Sequence, residues 1–261
     1  MPSNNVSASR RAALMGVMAA VYYVFLWLPG IPAIGIPEVK IDLGASFAPI
    51  LGLLLGPYLG FLAALLGDIV KVSAPPSIHG LPFILCPPAS AFAAGYITRS
   101  RWKEPLALLS VLLIAASFTP VFFPITEQGY IYLLGFFDKI IALLLIPVAT
   151  FLSKSNKKAY FHAALFIAMF IGNETDATLG NLMFSLPVVY NSIFGIPNVE
   201  AVRGLFAVSP LVYPAIRLIQ AAIGYAIAVP LLKVITRVKT LKEFIYPVSY
   251  THLTLPTKRI V

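Results

Sequence analysis

The constraint that dominates this chain is a succession of eight apolar runs, at about 11–28, 44–56, 57–72, 82–98, 105–123, 130–152, 159–188 and 209–235. A membrane-spanning helix needs roughly 20 apolar residues, fewer where the bilayer thins. The runs predict an all-α, polytopic helical bundle of six to eight membrane segments. Composition agrees, since 59% of the residues are hydrophobic and 11% charged. That is far from the mix of a soluble domain.

The net charge of +9 raises the question of nucleic acid. The basic residues fall at the ends of apolar runs, however, where they act as topology signals. No nucleic-acid partner is expected. The second and third runs are short and meet at Gly56-Pro57, with Gly52, Gly56 and Gly60 spaced by four. A GxxxG pattern marks close helix packing, while Pro57 in its middle favours a turn between two short helices. With a turn there, Arg10, Arg11, Arg99, Arg101, Lys103, Lys154, Lys157, Lys158, Lys233, Arg237, Lys239 and Lys242 share one side. These are twelve of the seventeen basic residues before position 248. The other side holds Lys40 and Arg203, with Lys71 near a border. The positive-inside rule then puts both termini in the cytoplasm of a multi-pass plasma-membrane protein. Residues 1–10 form a cytoplasmic N-terminus and 11–247 one membrane domain. A cleaved secretory signal is disfavoured, because the first run is long enough to span and lacks an A-x-A site.

The stretch Gly172–Asn181, GNETDATLGN, interrupts sequence that otherwise belongs in lipid. Each ionisable group there costs roughly 2.5–3.5 kcal/mol on insertion scales, and such groups usually face a bundle interior or a water-filled cavity. At ~1.5 Å per residue, Glu174 lies roughly 22 Å from the inner start of its helix, in the outer third of the bilayer. Asp138 and Lys139 reach a similar level from the outer end of 130–152. Arg217 and Gln220 do so in 209–235, and Asp68 and Lys71 end a segment that reaches the outer face. This convergence predicts a polar cavity open to the exterior, with Arg217 and Lys139 as partners of Glu174, Asp176 and Asp138. The alternative is helix glue, in which ion pairs only fix packing. Gly172, Asp176 and Gly180 recur every four residues, so this face either accepts a close neighbour or unwinds around a solute. Asn173-Glu174-Thr175 matches a glycosylation sequon, but membrane burial excludes that use.

Several chemistries lack their motifs. The chain has no G-x-x-x-x-G-K-[ST], no H-E-x-x-H and no G-x-S-x-G, which argues against a P-loop ATPase, a zincin and a serine hydrolase. The lone cysteine, Cys86, excludes an intramolecular disulfide and a cysteine metal cluster. No enzyme, cofactor or metal is expected. His79 and His162 lie in different segments, and Cys86 and His162 read as packing residues.

The tail Val248–Thr257, VSYTHLTLPT, resembles the translation of a sequencing-library adaptor. Residues 248–261 are therefore expected to be non-native.

Two regions resemble the substrate-binding S component of energy-coupling factor (ECF) vitamin transporters. In Arg11–Val72, RAALMGVMAAVYYVFLWLPGIP leads to VKIDLG and then FAPILGLLLGPYLGFLAALLGDIVK, an order most like the riboflavin-type members. The second region runs from GNLMFSLPVVY through YPAIRLIQAAIGYAIAVPLLKVI. The resemblance implies that small residues on the first helix dock on a transmembrane coupling subunit, here Ala12, Gly16 and Ala20. Small side chains let two backbones approach closely in lipid, and packing on the protein's own helices is the competing reading. It also implies that the loop after that helix caps the solute, which brings in Glu38, Lys40 and Asp42. The family core has six helices, against eight apolar runs here.

The expected function is substrate capture. A vitamin-like small molecule would be bound from outside by Asn173, Glu174, Asp176, Asp138, Lys139, Arg217, Gln220, Asp42 and Lys40. Release would follow docking on a coupling subunit driven by separate ATPase subunits, with membrane lipid as the surrounding partner. Two rivals are a proton-coupled secondary transporter and a non-transporting membrane scaffold. No inverted repeat is visible in support of the former.

Overall fold

The computed structural model describes residues 8–33, 36–155 and 157–237, with only the backbone described for 33, 36–40 and 236–237. The expected tail at 248–261 and the basic residues Lys239 and Lys242 lie outside the described residues. So do the side chains of Glu38, Lys40 and Arg237.

Each apolar run of the sequence becomes a helix, and among the described residues the fold is all-α apart from one small hairpin. Helix α1 (Ala8–Phe25) leads into antiparallel strands β1 (Gly30–Ala33) and β2 (Ile36–Asp42), with Gly30 opposite Asp42. Then follow α2 (Ala48–Leu55), α3 (Pro57–Ser73), α4 (Cys86–Ile97), α5 (Lys103–Ser117), α6 (Ile125–Ser153) and α7 (Lys158–Phe184). A short helix α8 (Val199–Val208) precedes the last, α9 (Tyr213–Arg237). The apolar runs did not signal the hairpin or α8.

The predicted break at Gly56-Pro57 is present. Gly56 has φ +91°, a conformation that glycine adopts freely. Pro57 opens α3 at its first turn, where its missing N–H costs nothing. All eight residues of α2 are buried. At ~1.5 Å per residue such a helix is only ~12 Å long, too short to span alone. Glycines let its neighbours close on it. A Cβ on Gly60 would come 2.7 Å from the Cα of Gly52, and one on Gly95 of α4 would come 2.8 Å from the Cα of Pro57. A Cβ on Gly52 would overlap the Ala91 carbonyl. Arg99 then closes the C-terminal end of α2, donating from Nη1 to the Gly52 carbonyl at 3.0 Å and from Nη2 to that of Leu53 at 3.3 Å. A cation there complements the negative end of the helix dipole.

Helix α7 packs against α4, α5, α6 and α9. It runs antiparallel to α9, with Gly224 against Met169 and the Tyr225 hydroxyl 2.8 Å from His162 Nδ1. The loops after α4 and α6, which carry Arg99–Lys103 and Lys154–Lys158, lie together at one end, where Ser100 Oγ and Ser153 Oγ are 2.7 Å apart. At the opposite end, α8 is pinned over the α5–α6 turn. Arg203 donates from Nε to the Val121 carbonyl at 2.9 Å and from Nη2 to that of Pro120 at 3.1 Å.

The outer surface is apolar. Val111, Leu133, Leu144, Phe151 and Val234 are all more than half exposed, as lipid-facing residues are and core residues are not. Among the described helices, Ile125–Ser153 and Tyr213–Ile235 are long and apolar enough to cross a membrane.

Candidate solute-binding cavity

Residues two apart on an α-helix point to opposite sides, since each step turns ~100°. Glu174 and Asp176 of α7 are separated in this way. Glu174 is fully buried and faces α6, where its Oε2 lies 3.6 Å from Lys139 Nζ. The same ammonium donates to both oxygens of Asp138 at 2.8 Å. One buried cation therefore serves two buried carboxylates. Asp138 also borders an apolar groove between α6, α7 and α9, with Phe137, Phe170 and Leu218. Asn173, fully buried, has neither amide atom hydrogen-bonded among the described residues.

Asp176 faces the other way, into a cavity of about 480 Å³ at the end opposite the basic loops. That size lies within the range of small-molecule sites, about 300–1,000 Å³. The α7 helix does not unwind around it. Along the Gly172–Asp176–Gly180 face the helix is continuous from Lys158 to Phe184. A Cβ on Gly172 would come 3.0 Å from Ser90 Oγ and 3.1 Å from Pro49, whereas one on Gly180 meets nothing closer than 3.9 Å. The same face thus packs tightly at its inner part and opens into the cavity further out.

Of the residues predicted from sequence, Asp42, Lys139, Asp176, Arg217 and Gln220 line the cavity. Asn173, Glu174 and Asp138 sit behind that wall. Lys40 lies on β2, with its side chain outside the described residues. Arg217, 8% exposed, donates from Nη1 to Gln220 Oε1 at 2.7 Å. Its Nε has no hydrogen-bond partner, and no carboxylate lies within ion-pair distance among the described residues. The expected pairing of Arg217 with a buried acid is thus replaced by a hydrogen bond to its neighbour one turn along α9. Gln220 in turn donates from Nε2 to the Asp42 carbonyl at 2.9 Å. This bond ties the end of the hairpin to α9.

The cavity also contains residues outside the expected set, among them Asp68, Lys71, His79, Phe83 and Tyr213. Asp68 and Lys71 carry a sequence signal, as charges ending an apolar run at the outer face. His79 lies in the connection between α3 and α4 and Phe83 in a 3₁₀ turn, Leu81–Phe83, at the edge of the 82–98 run, and nothing in the sequence singles them out as cavity residues. Asp68, 7% exposed, accepts a 3.3 Å bond from the hydroxyl of the fully buried Tyr22 on α1, and its Oδ2 is unpaired among the described residues. Lys71 Nζ lies 3.5 Å from the centroid of the Trp27 ring, a cation–π contact.

The chain is thus an apolar-surfaced helical protein with a cavity of mixed charge, the features of a solute-handling membrane component. Residues 10–151, more than half of the chain, match the family model of the ECF transporter substrate-specific component, and the protein belongs to that family. The match includes the first of the two resembling regions, Arg11–Val72, and ends before the second. No curated protein and no solved structure matches the chain.

Proposed function

We propose that this chain is the substrate-capture subunit of an ECF-type importer, binding a vitamin-like small molecule from outside in the cavity between α3, α7 and α9. The observation that carries this reading is the pair Asp176 and Arg217. Both are buried, both line a cavity of about 480 Å³, and neither forms an ion pair with the other or with any described residue. Buried charges left unpaired are costly, and a charged solute supplies the missing partner. Lys139 forms part of the wall and is held there by Asp138 and Glu174. The hairpin, tied to α9 through Asp42 and Gln220, serves as the cap that the resemblance assigns to this loop.

Docking on the coupling subunit is assigned to α1. Ala12, Gly16 and Ala20 are exposed, and a Cβ on Gly16 meets nothing within 4 Å. Their exposure favours an external partner over the protein's own helices, against which Ala19 and Tyr22 are buried instead. Six to eight segments embed the chain in lipid with both termini cytoplasmic, which agrees with the basic loops lying at the end away from the cavity. ATPase subunits bound to the coupling protein supply the energy.

The test is retention of small molecules by the purified protein in lipid nanodiscs, read by native mass spectrometry. The wild type should carry a bound organic molecule that Arg217→Gln loses, while Gly16→Leu should retain it and lose co-purification with the coupling subunit. Equal retention by wild type and Arg217→Gln would contradict the assignment.

A further inference from the structure

The cavity wall carries charges of both signs, among which Asp68, Asp176 and Arg217 do not pair with one another, and this points to a class of solute. This step rests on the reading of the cavity as a solute site. Asp42, Asp68 and Asp176 line it, as do Lys71, Lys139 and Arg217. Lys139 is already engaged by Asp138 at 2.8 Å and by Glu174 at 3.6 Å. Lys71 is held over the Trp27 ring. On the acidic side, Asp68 is 7% exposed with Oδ2 unpaired, and Asp176 is 9% exposed with no ion pair among the described residues. A buried carboxylate without a cation is strongly disfavoured.

On the other side, Arg217 is 8% exposed. Its Nη1 is committed to Gln220, while Nε has no partner. Nε lies on the edge of the guanidinium that grips two acceptor oxygens at once. The wall also carries the aromatic rings of Phe83, Phe184 and Phe206.

We infer that the solute is bipolar: a protonated nitrogen received by Asp68 and Asp176, an acidic oxygen group received by Arg217, and a flat or apolar body against the phenylalanines. A net cation without the acidic group leaves Arg217 uncompensated. A pure anion leaves both aspartates unpaired and meets their repulsion. Gly180 sets the space available. A Cβ there would be 3.9 Å from both Cys86 Sγ and Phe83 Cδ1, so alanine fits and a leucine side chain projects into the cavity.

The experiment exposes the nanodisc-embedded full chain to deproteinised yeast extract and identifies what it retains by native mass spectrometry and fragmentation. The expected result is a molecule with both a basic nitrogen and an acidic oxygen group. Asp68→Asn and Asp176→Asn should each weaken its retention by about thirty-fold or more, and Gly180→Leu should abolish it. A retained molecule without a basic nitrogen overturns the inference while leaving solute capture standing. Retention of nothing by the wild type overturns both. The identity of the molecule held by wild type decides the question even where a variant fails to fold.

Discussion

Two polar clusters flank the same stretch of α7, and they differ in whether their charges form ion pairs. On the α6 side, Lys139 sits between Asp138 and Glu174, all three buried. On the α3 and α9 side, Asp176, Asp68 and Arg217 face a cavity without pairing with one another. The first arrangement ties α6 to α7, and the second leaves charges facing a cavity, as the proposed solute site requires. A helix-fixing cluster and the proposed solute site thus lie on opposite faces of one helix.

The comparison can be broken most forcefully at Lys139. Removing it leaves two buried carboxylates facing each other, so Lys139→Met should cost about 3–5 kcal/mol of stability. Thermal unfolding in detergent checks this, and adding Glu174→Gln should recover part of the loss. On the cavity side, Arg217→Gln should weaken solute retention by about 2–5 kcal/mol, the usual cost of losing one partner of a buried charge pair. Its melting temperature should change far less than that of Lys139→Met. A smaller contrast lies along the face that both clusters share. Gly172→Val should cost about 1–3 kcal/mol by overpacking against Pro49 and Ser90, whereas Gly180→Ala should stay within about 0.5 kcal/mol. A comparably small effect is expected at Tyr22, where Tyr22→Phe removes one long hydrogen bond onto Asp68, worth about 0.5–1.5 kcal/mol in stability.

Much of this was legible in the residues. The apolar runs became helices because their length and composition leave no other way to satisfy the backbone in lipid. Gly56-Pro57 marked the break because one residue permits a positive φ and the other suits a first helical turn. The charges converged at one end because topology fixes depth. The face of α7 to which each charge belongs was beyond reach. That helix is apolar all round over its inner half, so periodicity gives no phase, and Glu174 and Asp176 look equivalent in sequence. The β-hairpin was missed although Val39 and Ile41 alternate with Lys40 and Asp42, a period-two pattern that follows Gly35 in the sequence. Helix α8 was missed although Asn198 is an N-cap residue, its side chain accepting from Ala201 N at 2.9 Å. Both elements are too short to register as apolar runs.

The most direct test sets the two acids of α7 side by side. Small-molecule retention from deproteinised yeast extract is measured by native mass spectrometry for Asp176→Asn and Glu174→Gln in parallel. The account predicts that Asp176→Asn loses the bound molecule by about thirty-fold or more while Glu174→Gln keeps it. Loss in Glu174→Gln with full retention in Asp176→Asn would contradict it.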